Sequence, residues 1–368
     1  MRKLSPDPRT GIITERNQVI NTSVRAQVLG KPTESLNNID RIISGAPPRI
    51  NVIRSQGGLG DVLMTLPTVK AISKKYNTTI DYTTDFEYLD GALPAVLQHV
   101  PYINKIINFK NKMQDYDATI DLTCPCLIHE QPGAPPINRI DLFARHAQVT
   151  LTDTQIDYIV TKTEREEAFR LLEEKIQSPR NNYKLVIVQP SSSTTRRDLP
   201  LSKQKNIIQK IAHSRSDVRF LVLTHSSDST AARDAGWNYI PDTLEIRDLQ
   251  VRQIAALISL SDLSICQDSA ILHIAGALSK PSFSFFGPTD PRARVNYYKN
   301  AVAICGGHDL KCFPSWYSPC KCNYLCWART DERVCVETIN SILNKQPIPA
   351  YPELIHFDNH QSTTYEIL

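Results

Sequence analysis

Three stretches of this 368-residue chain carry residue types spaced for chemistry. The first is Gly57-Gly58-Leu59-Gly60-Asp61, three glycines in four residues followed by a carboxylate. Glycines there let the backbone approach a ligand and take positive φ, and the first turn of a following helix offers unpaired N–H groups. A plain tight turn, with Asp61 complementing the helix dipole, reads equally well. The second stretch is Pro190-Ser-Ser-Ser-Thr-Thr-Arg-Arg-Asp-Leu-Pro200. Five hydroxyls, Ser192, Thr194 and Thr195 among them, precede Arg196 and Arg197, so neutral donors stand beside bidentate cations as a phosphate requires. A flexible surface loop has the same composition. The third, Asp268-Ser269-Ala-Ile-Leu-His273, sets a carboxylate, a hydroxyl and an imidazole about a helix start, where amides attract a pyrophosphate. An N-cap with a half-buried histidine explains those residues too. Phe286-Gly-Pro-Thr-Asp-Pro291 adds another glycine-bearing loop.

The elements that position these loops alternate strand with helix. Residues 49–54 predict a strand, about 61–75 a helix, 79–84 a strand, 89–98 a short helix, 105–109 and 118–122 strands, and 140–146 a helix. A charged helix over 163–177 marks the passage between two halves. The second half predicts strands at 184–190, 219–224, 237–241, 263–266 and 281–287, the last closing the set. Its helices fall at 202–214, 251–259, 271–278 and 332–344. Such alternation implies parallel sheets covered on both faces, two Rossmann-like doubly wound domains facing a cleft. Each glycine- or hydroxyl-rich loop follows a strand's carboxyl end, where ligands of such sheets bind. The expected division is an extension over 1–46, with a short helix over Asn37–Ser44, a domain over 47–160, a linker helix over 161–183, a domain over 184–345 and a tail over 346–368.

A 41% hydrophobic and 22% charged composition is that of a soluble globular protein. No apolar run reaches 18 residues and the first residues lack the apolar core of a secretion signal, so the expected compartment is the cytoplasm. The net charge of +4 resides in residues 1–50, with eight Lys/Arg against four Asp/Glu, a weak footprint for a phosphate-bearing partner. Six of nine cysteines fall between 305 and 335. Cys312, Cys320, Cys322 and Cys326, with His308, are types that could hold a structural zinc. Reactive or disulfide-forming cysteines and reduced core thiols stay equally open, because the spacing has no Cys-x-x-Cys pair. Cys124-Pro-Cys126 reads as a reduced loop.

Gly57-Gly-Leu-Gly-Asp-Val-Leu-Met-Thr-Leu-Pro67, Asp268-Ser-x-x-x-His273 and Phe286-Gly-Pro-Thr-Asp-Pro291, in that order across about 49–345, resemble the heptosyltransferase family of bacterial lipopolysaccharide synthesis. The resemblance implies the GT-B fold and an ADP- or UDP-linked sugar donor. It implies inversion at the anomeric centre without a required cofactor, and a carbohydrate or lipid-linked saccharide acceptor. Asp61 matches the family's general base, and Asp268, Ser269 and His273 its donor-binding motif. Arg197 falls where a diphosphate-binding Lys is usual, and Thr194 and Thr195 where phosphate-contacting hydroxyls occur; Ser192 and Arg196 join them on the donor side. Gly57, Gly58 and Gly60 become the acceptor-side wall. Arg197 for Lys, Leu199 for Trp, Ala270 for Gly and the N-terminal extension depart from the pattern.

Two other readings compete. The basic arm suits a glycosyltransferase modifying DNA bases, against which the charge-neutral body weighs. A non-catalytic nucleotide-sugar binder would keep its activity on Asp61→Ala. A Rossmann oxidoreductase is disfavoured, since the third glycine is misplaced and Asp81 or Asp85 is the only ribose acid on offer.

Overall fold

The computed structural model describes residues 47–111, 115–123, 126, 130, 135–226, 228, 236–316 and 320–356. The N-terminal extension with its helix over Asn37–Ser44, Cys124 and the end of the expected tail lie outside the described residues. The first half runs β1 (Ile50–Ile53), α1 (Leu59–Tyr76), β2 (Ile80–Thr84), β3 (Ile103–Asn108), β4 (Ala118–Asp121) and α2 (Arg139–His146). Its strands form a parallel sheet in the order β3-β2-β1-β4, with Ile50 opposite both Ile80 and Ala118. Every residue of β1 and β2 is buried, as a parallel sheet sandwiched on two faces requires.

Helix α3 (Lys162–Ile176) then leads over. Thr161 and Glu164 cap it reciprocally, each side chain bonded to the other's backbone N–H at 3.2 and 2.8 Å. The second half comprises β5 (Lys184–Val188), α4 (Leu201–Ser214), β6 (Val218–Thr224), β7 (Thr243–Arg247), α5 (Val251–Leu260), β8 (Leu263–Gln267), α6 (Ala270–Ala277), β9 (Ser282–Phe286), β10 (Ala301–Cys305), α7 (Glu332–Leu343) and β11 (Leu354–His356). Its sheet order is β11-β10-β9-β8-β5-β6-β7, parallel except for β11, which runs antiparallel to β10.

Four expectations change. Residues 237–241 are not extended: Trp237–Tyr239 is one 3₁₀ turn with Trp237 fully buried, and the strand is the polar edge segment β7. The segment over 281–287 does not close the strand set, since β10 and β11 follow it, and β11 draws part of the expected tail into the sheet. The helix expected over 89–98 shrinks to a 3₁₀ turn, Tyr88–Gly91, and one helical turn, Ala92–Ala95, joined where Gly91 takes φ +80°.

The halves share a core. Helix α1 packs against both α2 and α6. A continuous apolar cluster runs from Ile50, Leu63 and Leu66 through to Leu272, Ile274 and Ala275. Helix α3 packs on α5, where Arg252 grips the Glu164 carboxylate with two bonds of 2.7 Å. Among the described residues no helix is long and apolar enough to cross a membrane.

Candidate functional site

Asp61 is set by the turn before α1. Its Oδ2 accepts the Gly58 N–H at 2.9 Å, closing the turn. Gly57 takes φ +114°, and a Cβ on it would lie 2.5 Å from Arg54 Nη2, so both backbone and neighbour demand glycine. Asp61 Oδ1 pairs with Arg139 of α2, and Oδ2 stands 3.5 Å from Arg54. Arg54 is itself fixed: it leaves β1 buried, donates to the Leu122 and Thr123 carbonyls, and lies 5.0 Å over the Phe143 ring. Burial pushes the Asp61 pKa up, yet Arg139, Arg54, Arg294 and the Gly58 amide outweigh it and hold the carboxyl well below the carboxylate range.

From Asp61 the charges continue across to the second half. Glu130, 5% exposed, receives Arg139 Nε and Nη2 at 2.6 and 3.0 Å. It receives Arg294, from the second half, at 2.8 and 2.9 Å. Arg294 Nε stands 3.7 Å from Asp268, and Asp268 stands 3.5 Å from Arg197. Arg197 bonds the Ser193 hydroxyl at 2.6 Å and lies 4.6 Å over the Trp316 ring. Burial alone would raise Glu130; its two arginines bring it to about 2. Burial likewise opposes ionisation of Asp268, while Arg294, Arg197 and His273 lower its pKa. The result is a ladder of alternating sign, Asp61–Arg139–Glu130–Arg294–Asp268–Arg197, that crosses between the sheets.

Beside it, His273 projects from α6 against α1. Its Nδ1 shares a 2.7 Å hydrogen bond with the Tyr298 hydroxyl, and burial pushes its pKa down to about 4, so it is neutral at pH 7. A Cβ on Gly60 would come within 2.1 Å of His273 Cδ2. Gly60, expected to line the acceptor side, is therefore also the seat of the histidine from the other half. Ser269 precedes α6, and its hydroxyl donates to Gln189.

The hydroxyl-rich loop is held by its own carboxylate. Asp198 accepts the Ser192 N–H at 2.7 Å, Ser192 Oγ donates to the Thr194 carbonyl at 2.8 Å, and Thr194 caps the 3₁₀ turn Thr195–Arg197. Thr195 is exposed on that turn. Arg197 turns to the ladder while Arg196 turns away, donating to the carbonyls of Ser315 and Trp316. Asp198 is pushed up to about 6 by burial, which Ser192 and Arg197 only partly offset. A raised acid pKa stabilises the fold below the unfolded value near 4, and this contribution is lost as pH rises through about 6. Asp198→Asn is therefore expected to be more stable than wild type at pH 8 by about 1–2 kcal/mol and equal to it near pH 4. Denaturant melts at the two pH values measure this.

Cys312 and Cys322 lie within mutual hydrogen-bonding reach, and burial followed by that proximity pushes the Cys312 thiol to about 11. Cys320 Sγ accepts the Tyr324 N–H at 3.2 Å, and Cys326 is buried. His308 bonds the Cys305 carbonyl. Among the described residues no group of three or more His, Cys, Asp or Glu is arranged to hold a metal ion.

The sequence had pointed to Asp61, Arg197, Asp268, Ser269 and His273, which the fold gathers. It had not pointed to Arg54, Glu130, Arg139, Arg294, Tyr298 or Trp316. Arg54 lies three residues before the glycines and Arg294 three after Phe286-Gly-Pro-Thr-Asp-Pro291, so proximity to motifs was their only signal.

Comparison with known proteins agrees with this architecture. The profile of glycosyltransferase family 9 (heptosyltransferase) matches residues 127–325, more than half of the chain. No curated protein sequence matches. A family 9 glycosyl transferase from Veillonella parvula superposes with a TM-score of 0.62 at 16% identity, over 81% of this chain and 98% of that one. E. coli ADP-heptose lipopolysaccharide heptosyltransferase II gives 0.61 at 12% identity, over 81% and 99%. E. coli heptosyltransferase WaaC with ADP gives 0.55 at 14% identity, over 80% and 99%. Two parallel sheets joined through a buried ladder of charge are thus the GT-B scaffold of a nucleotide-sugar glycosyltransferase, and the chain belongs to glycosyltransferase family 9, the heptosyltransferase family.

Proposed function

We propose that the enzyme transfers a sugar from a nucleoside-diphosphate sugar to a saccharide hydroxyl with inversion, Asp61 acting as general base. One observation carries this reading: Asp61 in the first half and Arg197 and Asp268 in the second are joined by unbroken ion pairs. A carboxylate and a cation suited to phosphate therefore stand at the two ends of one ladder. The acceptor oxygen bonds the anomeric carbon as its proton passes to Asp61, and the bond from that carbon to the diphosphate oxygen breaks. Arg197 and the first amides of α6 meet the charge developing on the departing diphosphate, which is the work a metal would otherwise do. Zinc at the Cys312, Cys320, Cys322 and Cys326 loop rests on residue type alone, and no step of transfer uses it.

Arg196 braces the loop that carries Trp316, so Arg197 is assigned the diphosphate and Arg196 its support. ADP-heptose is the favoured donor, because ADP is bound to WaaC and ADP-heptose names the second relative. Eight free thiols among the described residues suit a reducing compartment, which supports work in the cytoplasm. Thermal-shift titration with ADP, UDP, GDP and CMP sugars tests the donor, since a ligand of the native state raises its melting temperature. An ADP-sugar should give the largest shift, and Arg197→Ala should weaken its binding about 10–100-fold, the loss of a charged hydrogen bond to phosphate. No shift with any of the four would overturn the donor assignment.

A further inference from the structure

Asp61 is poorly disposed to accept a proton while Arg139 grips it. A carboxylate held far below its ordinary pKa binds a proton weakly, and proton transfer benefits from a base whose pKa lies nearer the working pH. The ladder supplies a way to change this. Glu130 is its central rung, divided between one arginine of each half, with both carboxylate oxygens engaged on both sides. The outer rung, Arg197–Asp268, is longer at 3.5 Å and lies at the phosphate-seating loop.

We propose that Glu130 is a positioning residue through which an arriving donor diphosphate loosens the hold of Arg139 on Asp61. The sequence follows from alternating charge. A diphosphate competes with Asp268 for Arg197. Asp268, losing that partner, draws on Arg294, whose Nε already faces it. Arg294 then gives less of its charge to Glu130, and Glu130 takes more of Arg139. Arg139 yields Asp61 to the acceptor hydroxyl. The base is thereby readied after the donor is seated, which avoids a strong base facing water in an empty site. This inference rests on Asp61 being the base and on a diphosphate donor.

The groups that act on Asp61 come from every side. Arg54 and Tyr82 belong to the first sheet, Tyr88 to the turn after β2, Arg139 to α2, and Arg294 and His273 to the second half; Cys126 lies close as well. Arg54 keeps its hold throughout, because its remaining bonds go to backbone carbonyls that no ligand competes for. The diphosphate also acts directly, its negative charge raising any nearby carboxyl pKa. The test must separate relay from direct field.

Carboxyl-carbon NMR titration of the full chain, with Asp61 assigned by difference against Asp61→Asn, reads the Asp61 pKa with and without saturating ADP. In the wild type ADP should raise it by about one unit or more. In Glu130→Gln most of that rise should vanish while the ADP dissociation constant stays within about threefold, since Glu130 lies off the phosphate seat. Arg294→Lys keeps the charge but not the two-pronged grip, and should blunt the rise likewise, which guards against misfolding of the first variant. An ADP-bound protein whose Asp61 does not move overturns the relay and leaves the donor reading intact. An equal rise in wild type and both variants overturns it in favour of the direct field. Absence of ADP binding removes the donor reading and the relay together.

Discussion

Asp61→Asn is expected to lower turnover by roughly 10²–10⁴-fold, the usual contribution of a positioned general base. The loss should appear in kcat and not as weaker donor binding. A donor that raises the Asp61 pKa by about one unit binds the uncharged side chain about tenfold more tightly, so donor affinity should rise by up to about that factor. The amide is the informative replacement. It keeps the shape and an acceptor oxygen for the Gly58 N–H; like alanine it removes the charge that Arg54 and Arg139 face, but alanine removes the acceptor as well. Breaking a buried pair from one side costs about 3–5 kcal/mol, so a melting curve of the variant must show it folded at the assay temperature before its rate is read. Steady-state rates and nucleotide titrations on the same preparation decide the matter. A variant that turns over at the wild-type rate would remove Asp61 from the chemistry and favour a role as a capping carboxylate.

Gly60→Ala is expected to damage both fold and turnover. In a free helix the change would help, because alanine is favoured over glycine by about 1 kcal/mol. Here the methyl would sit 2.1 Å from His273 Cδ2 and 2.7 Å from its Nε2, and the imidazole has nowhere to retreat with Nδ1 held by Tyr298. Overpacking of this kind costs about 1–3 kcal/mol. The functional loss should exceed that, because α1 carries Asp61 and α6 carries the residues beside the phosphate seat. A displacement of that order between reacting groups lowers rates by about 10²-fold. Gly58→Ala is the control: its Cβ would find only Asp61 Oδ2 at 3.7 Å, and its φ of −69° suits any residue. Melting curves and kcat/KM for the pair should separate steric wedging from the general effect of adding a side chain to the turn. Equal behaviour of the two variants would refute the seat.

The parts of this fold that follow local rules were readable from the chain. Apolar runs such as Leu185-Val-Ile-Val188 and the period of Leu201–Ser214 reflect burial that any parallel sheet imposes. Gly57–Asp61 was readable because a positive φ and a helix start each demand a residue type. β7 was misplaced because Trp237 and Tyr239 suggest extended backbone, whereas the edge strand Thr-Leu-Glu-Ile-Arg is half polar. Glu130 and Arg294 were beyond reach for a different reason. A lone charged residue has no period: Glu130 stands in a bend and Arg294 in the single helical turn Arg292–Val295, close to a motif but not part of it, and these two meet across 164 positions. What makes them functional candidates is burial in mutual contact, a property of topology that leaves no local mark.

The sharing of Glu130 between Arg139 and Arg294 also bears on how such enzymes are recombined. Glycosyltransferases of two similar halves invite the exchange of one half for that of a relative, on the premise that each is a self-sufficient module. In this chain the premise fails at one carboxylate. A transplanted second half without an arginine at the place of Arg294 would leave Glu130 under-compensated in the interior. A first half without Glu130 would leave Arg294 a buried cation with Asp268 alone to face it. Glu130, Arg139 and Arg294 therefore form a unit of inheritance that straddles the domain boundary, and chimeras are best cut so that all three travel together.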